Sequence, residues 1–108
     1  MSDASQILIP PSFVALFVPP GKVRPTLGLR EMAVRYELCE DMAQLLTEQA
    51  ANQQFQLGIT EDLALERCLQ GLLATPEVMA ENEARWVVCR LAELLNWPVP
   101  EWAQGPAA

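Results

Sequence analysis

Apolar side chains recur along residues 32–50 at alternating intervals of four and three, in the order Met32, Tyr36, Cys39, Ala43, Leu46 and Ala50. That interval keeps one face of an α-helix turned toward a neighbour at a shallow crossing angle. Val34, Leu38, Met42 and Leu45 are expected to widen the same face. The helix is predicted to start between Thr26 and Leu29 and to stop at Gly58, because glycine takes the left-handed conformation beyond a helix end at least cost.

A further helix is predicted from Thr60, whose hydroxyl suits an N-cap, to about Ala74, with Glu61 and Asp62 in the first turn where the helix dipole favours carboxylates. Leu65, Leu69, Leu72 and Leu73 form its large apolar edge, and Ala64, Cys68, Gly71 and Thr75 form a stripe of small residues beside it. The stripe is expected to lie against another helix at Gly71, since an interior glycine otherwise costs about 1 kcal/mol with no packing gain. After Pro76 a last helix is predicted over residues 80–96, with Ala84, Val87, Val88, Leu91, Leu94 and Leu95 as its core face. Trp86, Cys89 and Trp97 add a second apolar stripe, so this helix is expected to be covered on two sides.

Prolines at 10, 11, 19, 20 and 25 set the first segment apart from this helical pattern. Residues 1–25 read as an apolar arm ending in the Pro19-Pro20-Gly21 turn, with one or two helical turns over Phe13 to Val18 or, alternatively, a strand. The expected organisation is an N-terminal arm over 1–25, a helical bundle over 26–97 and a flexible tail over 98–108. The fold class is all-α: a small open bundle of three to four helices with an extended apolar arm.

Charge and composition narrow the function. The chain has 108 residues and a net charge of −7, with no histidine. A negative chain repels phosphate backbones, so neither nucleic acid nor an anionic membrane is the expected partner. Residues 1–35 carry four basic and two acidic side chains, whereas residues 36–108 carry twelve acidic and three basic ones. Arm and body are expected to attract each other, within one molecule or across a dimer, the alternative being an external basic partner. Three cysteines, Cys39, Cys68 and Cys89, form no CxxC pair and read as core residues of a protein in a reducing cytoplasm. No run approaches the roughly 20 apolar residues that cross a bilayer, and the first apolar stretch lacks the preceding basic residues of a signal peptide.

Candidate chemistry is sparse. Gly21-Lys22 is the one GK pair, yet Leu16 stands where a phosphate-binding loop needs its first glycine and Val23 where it needs a hydroxyl. Glu37 and Glu40 have the ExxE spacing with which all-α nucleotide pyrophosphohydrolases hold magnesium, and Asp41 lies beside them, but the ExxD that should follow is missing. No catalytic, cofactor-binding or metal-ligating residue is therefore assigned from the sequence.

Three segments carry a likeness to a known family: Ile9-Pro10-Pro11-Ser12-Phe13-Val14-Ala15-Leu16-Phe17, Arg35-Tyr36-Glu37-Leu38-Cys39-Glu40-Asp41-Met42-Ala43, and the run from Trp86 to Leu95. Together they resemble the small proteobacterial proteins labelled "ATPase with chaperone activity". The resemblance covers about Ile7 to Trp97 and implies association with a Clp-type chaperone machine, since the chain lacks the phosphate-binding loop that the ATPase part of the label requires. The sequence thus reads as a non-enzymatic interaction protein, an adaptor or regulatory accessory. It would dock a protein partner, or a second copy as a homodimer, through Phe13, Leu16 and Phe17 of the arm and Trp86 and Trp97 of the last helix. The rival reading is a small magnesium-dependent pyrophosphohydrolase using Glu37, Glu40 and Asp41.

Overall fold

The computed structural model describes residues 8–104 and divides the chain into two compact units, Met1–Leu38 and Cys39–Ala108. The described residues are helical, without strands. No helix among them is long and apolar enough to cross a membrane.

In the first unit the arm takes the helical alternative. Helix α1 spans Pro11–Val14, with Pro11 at the first position, where its fixed φ suits a helix and its missing N–H leaves no bond unmade. A 3-10 turn, Ala15–Phe17, continues it. Phe13 is fully buried, its ring 5.4 Å from Phe17 and 5.6 Å from Tyr36 in tilted and edge-on pairings. Aromatic pairs of this geometry contribute about 0.5–1.5 kcal/mol each beyond the area they bury. They seat α1 on the beginning of the next helix.

Residues 18–28 then form a loop closed on itself. The Lys22 amide donates to the Pro19 carbonyl at 3.0 Å with Gly21 at φ 78°, so Pro20 and Gly21 occupy the positions that a type II turn reserves for proline and glycine. Thr26 donates to the Phe17 carbonyl from both its amide, at 2.7 Å, and its hydroxyl, at 3.2 Å. These bonds pin the two ends of the loop together.

Helix α2 runs from Leu29 to Leu57 and gives residues 29–38 to the first unit and the rest to the second. It stops at Gly58, which adopts φ 64°, as predicted. Its buried side chains include Met32, Cys39, Ala43 and Ala50, members of the four-and-three seam. Val34 and Leu45, expected to widen that seam, are exposed instead. The covered strip of α2 is thus narrower than its apolar pattern and leaves these flanks in water.

The second unit is completed by α3, Glu61–Leu73, and α4, Glu81–Leu95, which pack on each other. Thr60 caps α3, its hydroxyl accepting the Leu63 amide at 3.1 Å. Leu65, Leu69 and Leu72 enter the core with Ala64 and Cys68, but Gly71 is exposed and nothing lies within 4 Å of where its Cβ would be. The expected close helix contact at Gly71 is thus absent. The buried face of α3 is centred near Cys68 and Leu72, and Gly71 lies about a quarter-turn away from it.

Helix α4 starts without a polar cap at Ala80. Glu83 compensates by folding back to accept the Ala80 amide at 2.9 Å, and only 4% of this residue is exposed. At the other end Asn96 adopts φ 59°, the Asn96 amide bonds the Glu93 carbonyl and the Trp97 amide bonds the Ala92 carbonyl. This pair of bonds is a Schellman motif, which satisfies the last carbonyls and turns the chain back.

The returning chain is not a loose tail as far as Gln104. A 3-10 turn, Glu101–Gln104, packs on α4 with Ala103 and Pro100 buried. Arg85 donates to the Trp102 carbonyl, and the Cys89 thiol lies 3.4 Å from the Ala103 carbonyl. Residues 97–104 therefore supply the second cover that α4 was expected to need. The part of the expected tail beyond Gln104 lies outside the described residues.

Candidate functional site

The residues expected to dock a partner divide by burial. Phe13 and Trp86 are buried, while Leu16, Phe17 and Trp97 are half-buried. Phe13 is committed to Phe17 and Tyr36, and Trp86 is part of the core face that α4 turns inward. These aromatics supply packing, and the docking surface expected at Phe13 and Trp86 is not presented there.

Large apolar surface is exposed elsewhere. On the part of α2 that belongs to the second unit, Leu45 is 74% and Phe55 84% exposed. They alternate with the exposed polar residues Asp41, Glu48 and Asn52, at intervals of four and three that run along the outer side of the helix, opposite the core seam. At 1.5 Å per residue this stripe is about 21 Å long. Its signal was present in the sequence as a second four-and-three pattern. The pattern does not stand out there because Leu45 also fits the margin of the seam and Asp41 also fits a carboxylate cluster with Glu37 and Glu40.

The carboxylates themselves are not gathered. Glu37 and Asp41 are exposed, whereas Glu40 faces α4 and is gripped side-on by Arg90, with Nε to Oε1 at 2.9 Å and Nη2 to Oε2 at 3.2 Å. Gln44 donates to Glu40 at 2.9 Å from the next turn. The Arg90 bond, assisted by that of Gln44, holds the Glu40 carboxyl below its ordinary value against the opposing effect of burial. In return Glu40 makes the guanidinium of Arg90 harder to deprotonate. Half of the ExxE pair is thus an ion pair that ties α2 to α4. Among the described residues no three His, Cys, Asp or Glu side chains are placed to share a metal ion.

The thiols are similarly placed for packing. Cys39 and Cys68 are buried and Cys89 is half-buried. Burial pushes the Cys68 thiol up, and Cys89 is raised by burial and then by the negative charge of Glu93. A raised thiol is mostly protonated at neutral pH and is a poor nucleophile.

In the first unit the closed loop frames an open hollow of about 390 Å³ lined by Pro19, Lys22, Val23, Arg24 and Thr26. Val23 is 91% exposed. Among the described residues neither Lys22 nor Arg24 is ion-paired. The hollow therefore combines the apolar side chains of Pro19 and Val23 with two cations on a backbone fixed by the Pro19–Lys22 turn and the Phe17–Thr26 bonds. No family model, curated protein or solved structure matches the chain.

Proposed function

We propose that this protein is a non-enzymatic interaction module, an adaptor or regulatory accessory that acts by holding a protein partner. The observation that carries the reading is the outer stripe of α2. Two large side chains, Leu45 and Phe55, stand almost fully in water at helical spacing, on a helix whose opposite side already has a core. Aromatic anchors flanked by polar residues are the usual energetic centre of a protein interface. They do nothing for the stability of the free chain.

The chemistry of the stripe defines the partner's face. Asp41 and Glu48 lie among the apolar side chains and no cation does, so the complementary surface is apolar with basic residues. The resemblance to chaperone-labelled proteins supports a chaperone machine as one class of such partner. Quantitative capture on immobilised protein tests the reading, with the wild type compared with the Leu45→Ser/Phe55→Ser variant. The expected result is a partner retained by the wild type and lost by the variant while the two melt alike. Equal retention by both would defeat it.

A further inference from the structure

We infer that the partner face for the loop hollow is the α2 stripe of a second copy of this chain, with Phe55 of one copy seated in the hollow of the other. The inference rests on the interaction reading above and names one occupant for it. Three observations converge on it. The hollow is basic and apolar, whereas the stripe is acidic and apolar, and both are exposed on one polypeptide whose residues 1–35 and 36–108 carry opposite net charge. The open hollow of about 390 Å³ has room for a phenylalanine ring and leaves Lys22 and Arg24 at its rim within reach of Glu48, two helical turns from Phe55. The loop is closed by its own hydrogen bonds, so little chain entropy is lost when it docks.

The stripe cannot pair well with its own copy. Antiparallel packing about its midpoint would set Glu48 against Glu48 and Asp41 against Phe55 of the other chain, a like-charge contact at the centre of a desolvated seam. A cationic face is needed, and Lys22, Val23 and Arg24 provide one. The contact is heterologous, loop on helix, and each copy offers one of each. One loop on one helix buries less than the roughly 1,200 Å² of stable interfaces, which makes the association weak and concentration-dependent.

Sedimentation equilibrium over a wide concentration range tests this, on the wild type, Phe55→Ser, Lys22→Glu/Arg24→Glu and Asp41→Lys/Glu48→Lys. All the altered side chains are exposed, so the variants are expected to fold. The wild type should self-associate, more weakly as salt screens the charges. Phe55→Ser and each charge-reversed chain alone should associate at least about tenfold more weakly. Mixing the two charge-reversed chains should restore a heterodimer. A wild type that stays monomeric, or an association indifferent to Phe55→Ser or to the charge reversals, would overturn the inference. In that event continued capture of another protein through Leu45 and Phe55 would leave the interaction reading standing, whereas loss of both would remove it.

Discussion

At the scale of single residues, Gly71 and Asn96 show how backbone conformation decides the sign of a substitution. Gly71 lies inside α3 with open space around it and ordinary helical φ, so its flexibility is a cost without a return. Gly71→Ala should raise stability by about 0.5–1 kcal/mol, read as a higher thermal midpoint. Asn96 is the reverse case. Its φ of 59° is tolerated by asparagine and glycine, so Asn96→Gly should be close to neutral while Asn96→Val should cost about 1–2 kcal/mol. Glu40 adds a pH dependence. Its carboxyl is held below the ordinary value of 4.5, chiefly by Arg90, so the folded state binds a proton there less readily than the unfolded chain. The stabilisation is whole above the ordinary carboxylate value and is lost as the pH falls from there through the lowered one. Glu40→Gln should therefore flatten the acid limb of the stability profile, and an unchanged limb would mean that the ion pair contributes nothing.

At the scale of elements, the termini of the helices were legible because local chemistry sets them. Gly58 ends α2 and Thr60 caps α3 through contacts only a few residues apart. Which flank of a helix is covered was less legible. Leu45 sits at the edge of the seam by spacing, yet it stands in water while Cys39, Ala43 and Ala50 are buried. The link from Glu40 to Arg90 spans fifty residues and carries no local signature. The cover over α4 was anticipated as a need, but its source, residues 97–104, depends on the reversal at Asn96 and on Arg85 reaching the Trp102 carbonyl. Ending the chain at Asn96 should therefore expose part of α4 and lower the thermal midpoint, as buried Pro100 and Ala103 no longer exclude water. A truncated chain melting like the full one would show that this strap adds no stability.

For the whole molecule, the all-α class follows from proline-free helical periodicity, and the described residues agree with it. The division into units was not legible, because it falls inside the continuous helix α2, between Leu38 and Cys39, with no break in composition to mark it. Two of the expected docking residues, Phe13 and Trp86, are buried for a related reason. Aromatic content points to Phe13 and Trp86, yet large aromatics are also what a small core most needs, and burial took both. Among the large apolar side chains that remain outside, Leu45 and Phe55 are spaced along one side of α2 as a helix would present them to a partner. If magnesium bound at Glu37, Glu40 and Asp41, it would have to displace Arg90. Adding the ion should accordingly leave the thermal midpoint unchanged.

The central claim is that the outer side of α2 is a contact surface. A photo-crosslinking residue placed at Asn52, between Glu48 and Phe55, tests it most directly in the native setting, with the same residue at exposed Gln70 on α3 as the control. The account predicts a discrete protein adduct from position 52 and none from position 70. No adduct from 52, or equal adducts from both positions, would contradict it.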